Sequence, residues 1–229
     1  MFIFPSHRFN PKLVTAMPVP QVVSGGANLN DDETTIQTDG GGRWSVTHGN
    51  IDLRGPSMLR LWESWVAYLA GGARVILVPL LSLPTAPRPI AGGGIARPSR
   101  LVADDDHFPT SVAYAAPYIN AETAAPAGMR ATTLSVNVTQ GARLEGGEKF
   151  SVGRRGHIVE RVVSRTGQVA ECVISPPTRE AIPSGAAINF EWPVVQCRAV
   201  MGQNLAPDVS FGRSAGVSIS FVEDFSDAG

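Results

Sequence analysis

The serine motif GRSAG at residues 212–216 is the part of the sequence that most resembles a catalytic site. It matches G-x-S-x-G, the turn that presents the nucleophile in α/β-hydrolases, with Ser214 at its centre. That chemistry needs a strand before the serine, a helix after it, and an acid and a histidine later in the chain. Here the strand-like VSISFVEDF follows, and the last histidine is His157. The motif therefore predicts a turn before a terminal strand.

Three carboxylates and an imidazole stand together at residues 104–107 (DDDH) and are candidate cation ligands. Oxygen ligands suit Ca²⁺ or another hard ion, and a flexible loop can wrap such an ion. Consecutive side chains point in different directions, however, and neither a glycine nor a distal glutamate stands at EF-hand spacing. A solvated acidic loop is the better interpretation. His7, His48 and His157 form no H-x-H or H-E-x-x-H pattern, so we expect neither a metal nor a cofactor.

Phosphate and nucleic-acid sites have little support in the sequence. Glycines 92–94 lack the Gly-Lys-Ser/Thr that completes a phosphate-binding P-loop. Arg154 and Arg155 stand between two glycines without the aromatic residues that accompany single-strand binding. The 19 Lys and Arg residues balance 20 Asp and Glu residues, which argues against a protein that coats nucleic acid. We predict no enzymatic activity and no sequence-specific nucleic-acid partner.

The apolar runs and the cysteines bear on the compartment. The longest apolar stretch, residues 75–83, has nine residues and contains Pro79, whereas a membrane span needs about 20 residues. The N-terminal MFIFPSHRFNP lacks a basic segment ahead of an apolar one, so we expect neither a signal peptide nor a membrane partner. Cys172 and Cys197 are therefore predicted to be buried free thiols.

The first 82 residues are predicted to hold an arm and one helix between strands. Four prolines in residues 1–30 predict an extended arm, and two β-prone runs around DGGG in residues 34–46 predict a hairpin. Trp62, Trp65 and Leu69 then recur at helical spacing between a proline and a glycine pair. This pattern predicts a helix over residues 56–70 that packs on a sheet and leads into a strand at residues 73–81.

The remaining sequence divides at residue 130. Residues 83–129 are rich in proline and glycine and hold no sustained period, which predicts an excursion loop with an interaction role. Residues 130–229 contain short alternating or β-branched segments between Gly and Pro turns, which favours a small β-barrel. The predicted strands are 132–139, 149–152, 157–164, 168–175, 187–192, 194–201 and 217–222. The expected fold class is mainly β with one helix, a β-rich α+β fold.

Two blocks of sequence carry motifs that are familiar together. The first is RWSV at residues 43–46, followed by the helix LRLWESWVAYLAGG and the strand RVILVPL. The second contains GEKF at residues 147–150, a turn with Pro176, Pro177 and Arg179, and GAAINFEWP at residues 185–193. Together these blocks resemble the minor tail proteins of long-tailed, siphovirus-like bacteriophages and gene transfer agents, near the distal tail protein group. The sequence departs from that family by a Glu where an Asp is frequent in the GEKF motif, and by its long excursion.

The resemblance implies a structural subunit of a phage tail tip or baseplate. Such a subunit forms a ring, commonly a hexamer, between the tail tube and the tip components, without an enzymatic step. The implied partners are other copies of the chain in a cyclic homo-oligomer, the tail tube protein and tail-tip or hub proteins. The implied location is the virion, with assembly in the cytoplasm of the bacterial host.

Apolar residues in the arm and the excursion are candidates for the contacts between subunits. Prolines keep these segments out of regular elements, and soluble proteins tend to cover exposed apolar surface in an interface. The candidate interface residues are Phe2, Phe4, Phe9, Phe108 and Tyr118.

A carbohydrate- or receptor-binding β-domain at the tail tip is the alternative that the sequence leaves open. A sugar-binding site would need exposed Trp or Tyr side chains. Outside the helix, Trp44, Trp192, Tyr114 and Tyr118 are the residues that could provide them.

Overall fold

The computed structural model describes residues 1–27, 30–31, 33–37, 42–88, 90–91, 94–95, 100–102, 113–115, 119–207 and 214–226. Its helices are α1 (Ser6–Phe9) and α2 (Gly55–Leu69), with 3-10 turns at Ala70–Gly72 and Leu83–Thr85. Its strands are β1 (Leu13–Val19), β2 (Val22–Ala27), β3 (Glu33–Gln37), β4 (Arg43–Arg54), β5 (Val75–Pro79), β6 (Ile90–Ala91), β7 (Gly94–Ile95), β8 (Arg100–Val102), β9 (Ala113–Ala115), β10 (Asn120–Thr123), β11 (Thr133–Gln140), β12 (Lys149–Val152), β13 (Arg155–Thr166), β14 (Val169–Ser175), β15 (Ala187–Asn189), β16 (Val194–Ala199) and β17 (Ser214–Glu223).

Two β-structures organise these strands. A five-stranded antiparallel sheet has the order β1-β4-β17-β16-β5, and a closed barrel has the order β10-β11-β14-β13-β12-β15. The pairs β2-β3, β6-β7 and β8-β9 form separate two-stranded sheets. The mainly β fold class, with its helix and small barrel, is therefore confirmed.

The helix α2 covers one face of the five-stranded sheet. Trp62 and Leu69 are buried there and Trp65 is partly buried, as the helical spacing predicts. The indole Nε1 of Trp62 donates a 2.9 Å hydrogen bond to the carbonyl oxygen of Leu205. The helix ends where Ala70 adopts a left-handed conformation, and a Cβ on nearby Gly72 would lie 2.4 Å from a backbone oxygen of β16. The glycine pair thus both stops the helix and permits close packing on the sheet.

The N-terminal segment is part of the core, so the prediction of an extended arm is wrong. The backbones of Phe2 and Phe4 hydrogen-bond to Leu77 and cover the outer edge of β5, and β1 pairs with β4 at the opposite edge of the sheet. Pro18 is tolerated because β1 is an edge strand, where a missing N–H costs little. Phe4 and Phe9 are buried between α2 and the sheet. Their assignment to a subunit interface is therefore corrected, because they pack inside their own chain.

The hairpin predicted around the DGGG turn is also corrected. β3 pairs with the preceding strand β2, and β4 pairs with β1 and β17. Residues 38–41, which hold this turn, lie outside the described residues. Alternation identifies a strand but does not choose its partner, and the earlier strand β2 contains two glycines that weaken its own β signal.

The barrel has different limits from those that the sequence predicts. β16 and β17, expected in the barrel, complete the five-stranded sheet and connect β4 to β5. β10, expected in the excursion, pairs with β11 and β15 and closes the barrel. Closure requires a sixth strand, and the four residues of β10 are too short for a periodic pattern to stand out. The barrel thus spans residues 120–189, between two segments that build the sheet.

Candidate assembly surface

The motifs with catalytic or metal-binding potential do not assemble into a site in the described part of the chain. Ser214 is the first residue of β17 and lies opposite Arg54 of β4, so it belongs to a strand and not to a turn. Residues 104–107, Phe108 and Tyr118 lie outside the described residues. Among the residues that are described, no group of three or more His, Cys, Asp or Glu side chains could hold a metal ion. The described helices are likewise too short or too polar to cross a bilayer.

The buried histidines are fixed by backbone carbonyls. His157 donates from Nδ1 to the carbonyl oxygen of Pro176 at 2.8 Å, and Nε2 of His48 lies 3.2 Å from the carbonyl oxygen of Pro79. Burial disfavours the charged imidazolium and lowers the pKa of each histidine to about 4. Both side chains are therefore neutral at physiological pH and act as packing and hydrogen-bonding groups.

The barrel turn with Pro176, Pro177 and Arg179 contacts the sheet. The guanidinium of Arg179 lies 4.5 Å from the centre of the Phe225 ring, a cation–π contact, and donates a hydrogen bond to the carbonyl oxygen of Gly42. Burial lowers the pKa of Arg179, whereas the charge of Glu223 acts in the opposite direction. The motif therefore holds the barrel to the start of β4 and to the segment after β17 within one chain.

Buried polar contacts make the junction between barrel and sheet specific. Within the sheet, one carboxylate oxygen of Glu223 accepts the backbone N–H of Trp44 at 2.9 Å. Across the junction, Arg155 of the barrel donates to the carbonyl oxygen of Asp224 at 2.8 Å. Burial raises the pKa of Glu223, and the backbone N–H of Trp44 and the nearby arginines offset only part of this rise. Such desolvated charges require defined partners, so they fix how the barrel sits on the sheet.

Exposed apolar side chains concentrate on β1 and on the β2–β3 hairpin. On β1, Ala16 points to the helix-covered face and is buried, while alternate residues of the strand point to the opposite face. Val23 and Ile36 lie directly opposite each other on the hairpin. We call this set the hairpin surface, and each member is at least half exposed: Leu13, Met17, Val19, Val22, Val23 and Ile36.

The free edge of β1 is protected against strand pairing. Pro18 supplies no N–H, and the ammonium of Lys149 from the barrel donates a 2.6 Å hydrogen bond to the carbonyl oxygen of Ala16. Proline and lysine at an edge both discourage another strand from pairing there. A partner at this end of the molecule therefore meets side chains of the hairpin surface more readily than the backbone of β1.

The N-terminus forms a second exposed apolar area. Phe2 is 63% exposed and packs edge-on against Tyr68 of α2 at a ring distance of 5.4 Å. Phe2, Ser64, Trp65 and Tyr68 line a shallow apolar groove of about 190 Å³. Of the predicted interface residues inside the described ranges, Phe2 alone is available at the surface.

The aromatic residues proposed for sugar binding are mostly unavailable or outside the described side chains. Trp44 is fully buried, and Trp192 is 38% exposed. The side chain of Tyr114 and the whole of Tyr118 lie outside the described structure. Trp192 therefore stands as a single exposed ring among the described candidates.

Comparison with known proteins adds no family. No protein-family model matches the chain, and no curated protein matches it.

Val23 and Ile36 of the hairpin surface were not predicted from the sequence, and the reason is physical. Val23 and Ile36 are β-branched, and such residues occupy exposed and buried strands alike. The continuous apolar character of LVTAMPV was the available signal, because a strand with apolar residues on both faces needs cover on both faces.

Proposed function

We propose that the chain is a structural subunit of a phage tail tip or baseplate, and that it forms a ring between the tail tube and tip components. The two sequence blocks that resemble distal-tail-type minor tail proteins support this assignment. The observation that carries the assembly role is the hairpin surface. It comprises exposed apolar side chains of β1 and of the two-stranded hairpin that follows β1 along the chain.

A hairpin of two strands is marginally stable in water unless it packs against another surface. Burial of the hairpin surface on a neighbouring subunit would therefore stabilise the hairpin. A contact between this surface and a different surface of the next copy is heterologous, and it closes into a ring when the rotation per subunit divides a full turn. The fixed junction between barrel and sheet gives each copy one shape, as a closed ring requires.

The test is a double substitution, Val23→Asp with Ile36→Asp, in the full chain. Both side chains are exposed, so we expect the fold to persist by circular dichroism while light scattering shows loss of the oligomer. Val163→Asp is the matched control, since Val163 is equally exposed on β13 of the barrel. A wild-type chain that stays monomeric at high concentration would contradict the proposal. Equal loss of the oligomer in the control would contradict the role of the hairpin surface.

A further inference from the structure

A groove of about 470 Å³ opens at one end of the barrel, between the loop that follows β11 and the β13–β14 hairpin. Its floor is apolar and its rim is polar. The floor is formed by Val138, Leu144, Val169 and Ala170, and the polar rim by Thr139, Arg143, Arg165 and Gln168. Barrel mouths are frequent ligand sites, and this volume lies within the range of about 300–1,000 Å³ that small-molecule sites occupy.

The charged groups of the groove have one sign. Arg143 and Arg165 are both exposed at the rim, and the lining contains no carboxylate. Arg165 is held in place by its hydrogen bond to the carbonyl oxygen of Leu144. Of the acidic groups near the lining, Glu148 and Glu171 have other partners. Glu148 accepts the backbone N–H groups of residues 145 and 146, and Glu171 accepts from a serine hydroxyl of β13.

We propose that this groove binds an anionic saccharide unit, through its carboxylate or phosphate group. Guanidinium groups pair with carboxylate and phosphate oxygens in a bidentate geometry, so Arg143 and Arg165 supply the anchor. The amide of Gln168 can both donate to and accept from sugar hydroxyls above the apolar floor. The hydroxyl of Thr139 donates to the carbonyl oxygen of Asn120 and can accept from a sugar hydroxyl. The lining has no aromatic ring on which a nucleobase or a neutral sugar could stack, so charge dominates the affinity. The site lies on the barrel and is independent of the proposed ring.

The test is a set of calorimetric titrations of the full-length protein with glucuronate, glucose 6-phosphate, glucose and inorganic phosphate. We expect glucuronate and glucose 6-phosphate to bind at least tenfold more tightly than glucose. Which of these two binds more tightly identifies the preferred anion, carboxylate or phosphate. Glucose that binds as tightly as both anionic sugars would overturn the proposal. Inorganic phosphate that binds as tightly as glucose 6-phosphate would overturn the saccharide assignment. Failure of both glucuronate and glucose 6-phosphate to bind would also overturn it.

The groove residues are tested by Arg143→Gln, with Arg161→Gln as the matched control. Arg161 is an exposed arginine of β13 that does not line the groove. Loss of a charge-assisted hydrogen bond should weaken binding of the anionic sugars about tenfold or more in the first variant and leave it unchanged in the control. Because Arg165 also supports the Leu144 loop, Arg143 gives the cleaner result. Equal affinity of the Arg143→Gln and wild-type chains would overturn the assignment.

Discussion

The indole Nε1 of Trp44 donates a 2.7 Å hydrogen bond to the carbonyl oxygen of Gly156, and this contact joins the sheet to the barrel. Trp44 lies at the start of β4 and is fully buried, while Gly156 lies at the start of β13. The approach is possible because Gly156 has no side chain. A Cβ at this position would lie 2.2 Å from Cγ2 of Val195 and 3.2 Å from the indole nitrogen. The glycine therefore sets the distance between the two β-structures.

Gly156→Ala should destabilise the protein by about 1–3 kcal/mol, because the added methyl group overpacks a junction that cannot easily expand. Urea unfolding measures the loss. Gly128→Ala is the control, since a Cβ at Gly128 meets no atom within 4 Å, and we expect a change within about 0.5 kcal/mol. Equal stability of the Gly156→Ala and wild-type chains would contradict the close packing of Trp44 and Val195.

Trp62→Ala should cost about 3–5 kcal/mol in the free energy of unfolding, because it leaves a cavity between α2 and the sheet. The substitution also removes the edge-on contact with Phe9 and leaves the carbonyl oxygen of Leu205 without its donor. Glu63→Ala, on the exposed side of the same helix, should leave the melting temperature nearly unchanged. A melting temperature that does not respond to Trp62→Ala would refute this packing of the helix.

Element positions were predictable from the sequence, whereas strand partners were not. Residues 149–152 form a strand with the predicted limits, and the stripe of Trp62 and Leu69 identifies the buried face of α2. These signals are local, because period and turn residues act within a few positions. The membership of β16 and β17 in the sheet depends on contacts with strands more than 100 residues earlier, which no local pattern encodes.

The candidate surface was harder to predict than the core. Phe4 and Phe9 have the same residue type and the same proline-rich surroundings as exposed Phe2, yet they are buried. What separates them is the path of the chain between the edge of β5 and β1, which brings Phe9 of α1 against Trp62 of α2. The prolines correctly indicated that parts of the N-terminal segment lie outside helices and strands. They carried no information about which side chains are buried.

The two cysteines should react with a thiol reagent only after unfolding. Both are free and buried, Cys172 in the barrel and Cys197 in the sheet, as the sequence predicts. Burial raises the pKa of Cys172 to about 11 and raises the pKa of Cys197 well above its usual range, so the reactive thiolate is scarce at pH 8. Without reductant, we expect two reactive thiols per chain in urea and almost none in the folded protein. Fewer than two in urea would mean that a disulfide forms.

The stability of the protein should fall as the pH decreases from about 6.5 to about 4. In the folded chain burial lowers the pKa of His48 and His157 to about 4, whereas the ordinary value of 6.5 applies after unfolding. Between these values the unfolded chain binds more protons than the folded chain, so protons favour unfolding. The stability that the neutral histidines provide is fully present above pH 6.5. By pH 4 the protonation of each histidine in the unfolded chain should lower the free energy of unfolding by about 3 kcal/mol. Urea unfolding at several pH values measures the sum of these and the carboxylate effects.

Proton NMR of the imidazole rings separates the histidine contribution from that of the carboxylates. In the folded protein the signals of His48 and His157 should stay unchanged from pH 7.5 to pH 5, because each neutral ring is buried against a backbone carbonyl oxygen. In urea the same signals should titrate near pH 6.5. A midpoint near 6.5 for either ring in the folded chain would show that water reaches it. The contact of that ring with the carbonyl oxygen of Pro79 or Pro176 would then be wrong. The acid sensitivity of the fold would in that case come from carboxylates such as Asp52 and Asp224, because their hydrogen-bond partners lower the pKa of each.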